Sequence, residues 1–91
     1  MKPVLVTTEH RGVFFGRLDG EATKAKVTLR GARNAIYWSR DVGGFLGLAS
    51  KGPTSDCRIG PAVDVELFDI TSVAEVSEDA AKAWESHPCH Q

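Results

Sequence analysis

Between Gly31 and Pro61 the chain concentrates the side chains that could grip a small molecule. Arg33, Arg40, Lys51 and Arg58 supply positive charge, Tyr37 and Trp38 supply aromatic faces, and Asn34 supplies an amide. Six of the nine glycines fall in the same stretch, so these groups sit on backbone that can bend around a ligand. An arginine offers a planar fork to phosphate or carboxylate. An asparagine can read a base edge or a ribose hydroxyl. A tyrosine or tryptophan face stacks a nucleobase, worth roughly 1–3 kcal/mol per base in single-strand binders. Together these chemistries suit a site for a flat anion.

Two further groups extend that site. The loop from Lys51 to Arg58 carries Gly52, Pro53, Thr54 and Ser55, whose backbone N–H groups and hydroxyls could hold a phosphate as anion nests do. It is no Walker loop, because Gly-Lys-Ser/Thr does not follow a four-residue spacer. Arg58, beside Ile59 and Pro61, is expected to be half-buried and in need of a partner. Arg11 and Phe14 could complete a pocket wall. The expected ligand-binding set is therefore Arg11, Phe14, Arg33, Asn34, Tyr37, Trp38, Lys51, Thr54 and Arg58. Each has a plainer alternative: Trp38 and Phe14 as core, Tyr37 as a rim contact, Arg11 and the 51–58 loop as solvated surface.

Catalysis finds no such grouping. A nucleophilic Cys57 would need a base, and nothing in the sequence links it to His10. His87, Cys89 and His90 are metal-ligand types, but three ligands within four residues do not readily close a tetrahedral site. The sequence leads us to expect a binding protein rather than an enzyme, with no cofactor and no metal.

The elements that must position these residues are mostly strands. Pro3–Thr8 and Val13–Leu18 are β-prone runs around a turn at Glu9–Gly12, which makes a hairpin. Gly16 inside the second run signals a bulge or a close backbone approach. Ala25 to Arg30 alternates apolar and polar residues, the mark of a half-buried strand. Gly31 is expected to break it, and Ala35–Trp38 to form a fourth strand after a turn over Gly31–Asn34. In that strand Ile36 and Trp38 would share one face, Ala35 and Tyr37 the other. Phe45–Ala49 reads as a short buried strand or a turn of helix, and residues 50–61 as loop. Val63–Leu67 and Ile70–Val76 are further strands around a turn at Asp69. Ser77 is a helix N-cap, with Glu78 and Asp79 in the first turn and Ala80, Ala81, Ala83 and Trp84 as the packing side. The fold class is mainly β: a small SH3-like or Sm-like barrel, or a rolled antiparallel sheet, with one C-terminal helix. Residues 1–91 form a single domain, with strands over about 3–76, the helix over about 78–86 and a tail over 87–91.

Composition sets the bounds. With 42% hydrophobic and 25% charged residues the chain is globular rather than disordered. No apolar run reaches the ~18 residues of a membrane span. The start, Met1-Lys2-Pro3-Val4, lacks a signal peptide's apolar region, so a cytoplasmic location is expected. A chain of this size buries only about 60–65% of its unfolded surface, so a homo-oligomer is expected. Net charge is −1, but the halves differ. Residues 1–60 hold ten Lys+Arg against five Asp+Glu, and residues 61–91 hold one Lys against seven Asp+Glu. That asymmetry means either an anion-binding face or an acidic segment folded over a basic one.

Four segments carry a resemblance: Arg11-Gly-Val-Phe-Phe-Gly16, Ala32-Arg-Asn-Ala-Ile-Tyr-Trp-Ser39, Gly44-Phe-Leu-Gly-Leu-Ala49 and Cys57-Arg-Ile-Gly-Pro-Ala62. Together they look like a family of small phage and prophage proteins, over about Val4 to Trp84. The chain is also similar to the Thoeris anti-defence proteins, viral sponges that bind cyclic ADP-ribose-type immune signals without cleaving them. The resemblance implies sequestration of a cyclic nucleotide or ADP-ribose-type signal in an infected bacterial host. It assigns no individual residue. The alternatives are an Sm-like nucleic-acid-binding ring or a phage structural protein. A sequence pI of about 6.3 is unlike the basic footprint of nucleic-acid binders.

Overall fold

A computed structural model of the chain describes residues 1–9 and 12–89. His10, Arg11 and His90 lie outside the described residues. Strands β1 (Pro3–Thr8) and β2 (Val13–Leu18) form the expected hairpin, with Leu5 opposite Phe15 and Val6 opposite Phe14. Strand β3 (Lys26–Tyr37) pairs with β2 on one side and with β4 (Arg58–Ile59) and β5 (Val63–Phe68) on the other. Strand β6 (Ile70–Glu75) follows β5 after one residue and pairs with β1. That residue, Asp69, turns the chain with φ 56°, a left-handed conformation that aspartate tolerates better than most. Since β5 and β6 are consecutive yet attach to opposite sides of the β1–β2–β3 core, the antiparallel sheet rolls.

Two helices pack on this sheet: α1 (Gly44–Ser50), entered through a 3₁₀ turn at Arg40–Val42, and α2 (Glu78–Ser86). The mainly β class and the C-terminal helix are as expected. Two local expectations are corrected. Gly31 does not end the third strand. Its φ of 60° bends the strand, the β3–β5 register shifts between Leu29 and Ala32, and pairing resumes, so the expected third and fourth strands are one 12-residue strand. A bulge absorbs the glycine where a turn would have used it. Arg58–Ile59, expected within a loop, instead pairs with β3 as β4. Of the two readings of Phe45–Ala49, buried strand or turn of helix, the structure has the helix, so a second helix joins the C-terminal one.

Each face of the sheet has its own core, as strand alternation requires. Val4, Val6, Val27, Leu29, Ala32, Leu67 and Ile70 fill the inside of the roll. Leu5, Phe15, Ala35 and Ile59 face the helices, where they meet Leu48, Ala80, Ala81 and Trp84. Trp84 is fully buried, stacks on Phe15 with ring centroids 5.3 Å apart, and donates its indole N–H to the Leu48 carbonyl at 3.0 Å. Removing a side chain of this size from a core costs about 3–5 kcal/mol, so this contact decides whether α2 docks. Gly16 makes the close approach its position suggests: a Cβ there would lie 2.8 Å from the Leu29 Cβ.

Candidate functional site

Arg33 is the first residue to place. It sits opposite Phe15 on the helix-covered face of β3 and is 5% exposed. Its Nε donates to the Gly60 carbonyl at 2.8 Å, and one terminal nitrogen donates to the carbonyls of Trp84 (2.7 Å) and His87 (2.6 Å). Trp84 and His87 lie at the C-terminal end of α2, where carbonyls lack intrahelical donors and the helix dipole favours a cation. Arg33 therefore caps the helix from inside the protein. The expectation that it sits at an exposed turn is corrected, because the strand continues through Gly31 and carries Arg33 inward.

Two grooves flank this buried arginine. One, of about 470 Å³, runs between the 53–58 loop and the end of α2, lined by Thr54, Ser55, Arg58, Ser86 and His87 among others. The His87 ring lies across it, with Nε2 2.8 Å from the Thr54 carbonyl and Nδ1 3.0 Å from that of Pro88. Arg58 is exposed, not half-buried as expected. Strand β4 turns it outward while Ile59 goes into the core. The Arg58 guanidinium carbon lies 6.0 Å from the centroid of the Tyr37 ring, the outer limit of a cation–π contact. Register places Tyr37 opposite Arg58, and the shift between Ala35 and Tyr37 leaves that ring 51% exposed. The second groove, of about 240 Å³, is apolar and is lined by Phe14, Asn34, Ile36, Pro61, Val63 and Val65 among others.

The expected site is thus divided. Thr54 and Arg58 share the polar groove, with Tyr37 at its rim beside Arg58. Phe14 and Asn34 share the apolar one. Arg33 lies behind both and bonds to one wall residue of each, His87 and Gly60. Trp38 is half-buried and packs against the helix-side core. Ile36 is exposed, so Ile36 and Trp38 do not share an environment. Lys51 is exposed at the end of α1. Sequence reasoning missed His87 and Ser86 as groove residues. Only the tertiary contact between the end of α2 and the 53–58 loop brings them together.

Four of the other described cations are committed elsewhere. Arg17 reaches Glu78 (3.4 Å) and Glu85 (3.1 Å) on α2, and Arg30 reaches Asp19 (2.8 Å) and Asp64 (3.5 Å). Hydrogen bonding to Glu85 holds the Arg17 guanidinium above its ordinary range, and bonding to Asp19 does the same for Arg30. Lys2 pairs with Glu75 and Lys26 with Glu66. The acidic part of the sequence folds over the basic part, which accounts for much of the charge asymmetry between the halves.

Among the described residues no group of three or more His, Cys, Asp or Glu side chains could hold a metal ion. None of the helices among the described residues is long and apolar enough to cross a membrane. No curated protein and no solved structure matches the chain. Residues 1–84 match the family described as a domain of unknown function, DUF6948, and the chain belongs to that family.

Proposed function

We propose that the protein is a non-enzymatic binding module that captures a small planar anion in the polar groove and holds it unchanged. The observation that carries this reading is the exposed Arg58 guanidinium beside the exposed Tyr37 ring, at the mouth of a groove that also holds Thr54, Ser55 and His87. A guanidinium supplies charge-assisted bonds to a phosphate, the ring supplies a stacking face, and the hydroxyls read sugar oxygens. The resemblance to phage sponges supports a cyclic nucleotide or cyclic ADP-ribose-type immune signal as the ligand, an anti-defence role, and action in the cytoplasm of an infected host.

Calorimetry with a panel of cyclic nucleotides and cyclic ADP-ribose isomers tests this. At least one should bind. Arg58→Ala should weaken that binding roughly ten- to a hundredfold, the effect of losing a charged hydrogen bond of about 1.5–3 kcal/mol. Because Arg58 is exposed, its melting curve should match the parent's. A parent that binds none of the panel, or an Arg58→Ala protein that binds as the parent does, removes the reading. Polynucleotide binding that falls steeply with salt would favour a nucleic-acid ring instead.

A further inference from the structure

Among the described residues no strand pairs with the outer edge of β6, and its backbone shows which groups point outward. Val76 N–H donates to the Pro3 carbonyl at 3.1 Å, so these two residues form a hydrogen-bonded pair. Antiparallel pairs alternate. With Leu5 opposite Ala74 and Thr7 opposite Ser72, those are the next bonded pairs, and Val73 and Glu75 turn their N–H and C=O groups away from β1. On that outer side the 22–25 segment makes one bond to β6, from Ile70 N–H to the Lys24 carbonyl at 2.9 Å. It then diverges, leaving a groove of about 880 Å³ between Ala22–Ala25 and Asp69–Val73.

A strand edge with unpaired backbone groups is a template for another strand. Edges that resist pairing carry charge or proline. Strand β6, Ile-Thr-Ser-Val-Ala-Glu, has no proline and a single charge, Glu75 at its end, and Thr71, Ser72 and Val73 are exposed. Strand β5 differs. Pairing two β5 edges about Val65 would set Asp64 of one copy against Glu66 of the other, two like charges.

We propose that β6 pairs with β6 of a second copy, antiparallel about a two-fold axis at Ala74. In that register Val73 of each copy lies opposite Glu75 of the other, and the two outward-facing residues of each edge satisfy one another. Four backbone hydrogen bonds form across the axis. No like charges are opposed, since Glu75 meets valine and its own carboxylate already pairs with Lys2 at 3.0 Å. Ala74 meets Ala74, small enough for the two backbones to approach. The groove beside Ala22–Ala25 receives the end of the partner strand. The arrangement is isologous and closes at two copies.

Sedimentation and cross-linking test it on the full chain. The parent should sediment as a dimer at micromolar concentration. Val73→Pro removes an outward N–H and takes no bond from the β1 ladder. Val73→Glu sets an acid directly opposite Glu75 of the other copy, two like charges. Both should sediment as monomers with the parent's circular dichroism. Ala74→Cys should form a disulfide-linked dimer on mild oxidation, because a non-bonded antiparallel pair holds its Cα atoms about 4.5 Å apart, within disulfide reach. If Val73→Pro fails to fold, Val73→Glu and the cross-link decide. A monomeric parent overturns the proposal, whether or not the edge takes up a foreign peptide. So does a dimer that survives Val73→Glu, or an A74C protein that stays unlinked.

Discussion

Arg33 and Arg58 sit on neighbouring strands and have opposite fates. Arg33 is buried and bonded to three carbonyl oxygens, and Arg58 is exposed over a tyrosine ring. The sequence suggests the reverse, because Gly31 precedes Arg33 as a turn residue would, and Ile59 and Pro61 surround Arg58. Which arginine is buried depends on whether Gly31 bends the strand or ends it, and a single glycine looks alike in both cases. Arg33→Ala leaves the carbonyls of Gly60, Trp84 and His87 without this donor and the end of α2 without its cap. Breaking a buried charged network typically costs about 3–5 kcal/mol. The urea midpoint should fall accordingly, and Arg33→Lys should recover only part, since an ammonium cannot reproduce the fork. A stability within about 0.5 kcal/mol of the parent's, on the scale of an ordinary surface change, would show that the cap is dispensable. The chemistry of the candidate site was therefore legible as residue types, but its geometry was not. Tyr37, Thr54 and Arg58 come together around the polar groove, Phe14 and Asn34 lie in the apolar one, and His87 enters from a helix end fifty residues after Tyr37.

At the scale of elements, local signals succeeded where one physical cause dominated. The alternation of Val27 and Leu29 with Lys26 and Thr28 marks a strand buried on one side, and it is one. Ser77 precedes two acids and an alanine-rich run, and α2 begins directly after it. The C-terminal segment was legible to the residue because cap, propensity and apolar face agree there. Phe45–Ala49 was ambiguous because a five-residue apolar run fits a buried strand or a helix equally. The tie is broken by Gly43, at φ 85°, which turns the chain into α1. Ser77 holds two elements at once. Its hydroxyl accepts from Ala80 N–H at 3.1 Å and donates to the Ser50 carbonyl at the end of α1, also at 3.1 Å. Ser77→Ala should cost about 1 kcal/mol for the cap and somewhat more for the second bond. Thr, which keeps the hydroxyl, should recover most of it. Thermal melts of both variants measure the difference, and equal losses in Ala and Thr would mean that the hydroxyl contributes nothing.

At the scale of the molecule, one sheet separates two cores, and this makes cooperativity a testable property. Neither core is large. The inside of the roll is built from Val4, Val6, Val27, Leu29 and their neighbours, and the helix side from Leu5, Phe15, Leu48, Trp84 and theirs. They share backbone: Leu5 faces one core and Val4 and Val6 the other, so neither side can loosen without disturbing the β1 ladder. The domain should therefore unfold in one step. Both tryptophans report on the helix side, since Trp84 is part of that core and Trp38 packs against it. Far-ultraviolet circular dichroism, by contrast, reports on the backbone of strands and helices together. Leu29→Ala cuts into the inner core, and Leu48→Ala into the outer one. Each should cost about 2–5 kcal/mol, a large share of the roughly 5–15 kcal/mol that stabilises a domain. In each variant the fluorescence and dichroism transitions in urea should coincide and move together. Leu29→Ala is the sharper case, because no tryptophan belongs to the core it damages. If it shifts the dichroism transition and leaves tryptophan fluorescence where the parent has it, the two faces unfold independently, and β1 does not couple them.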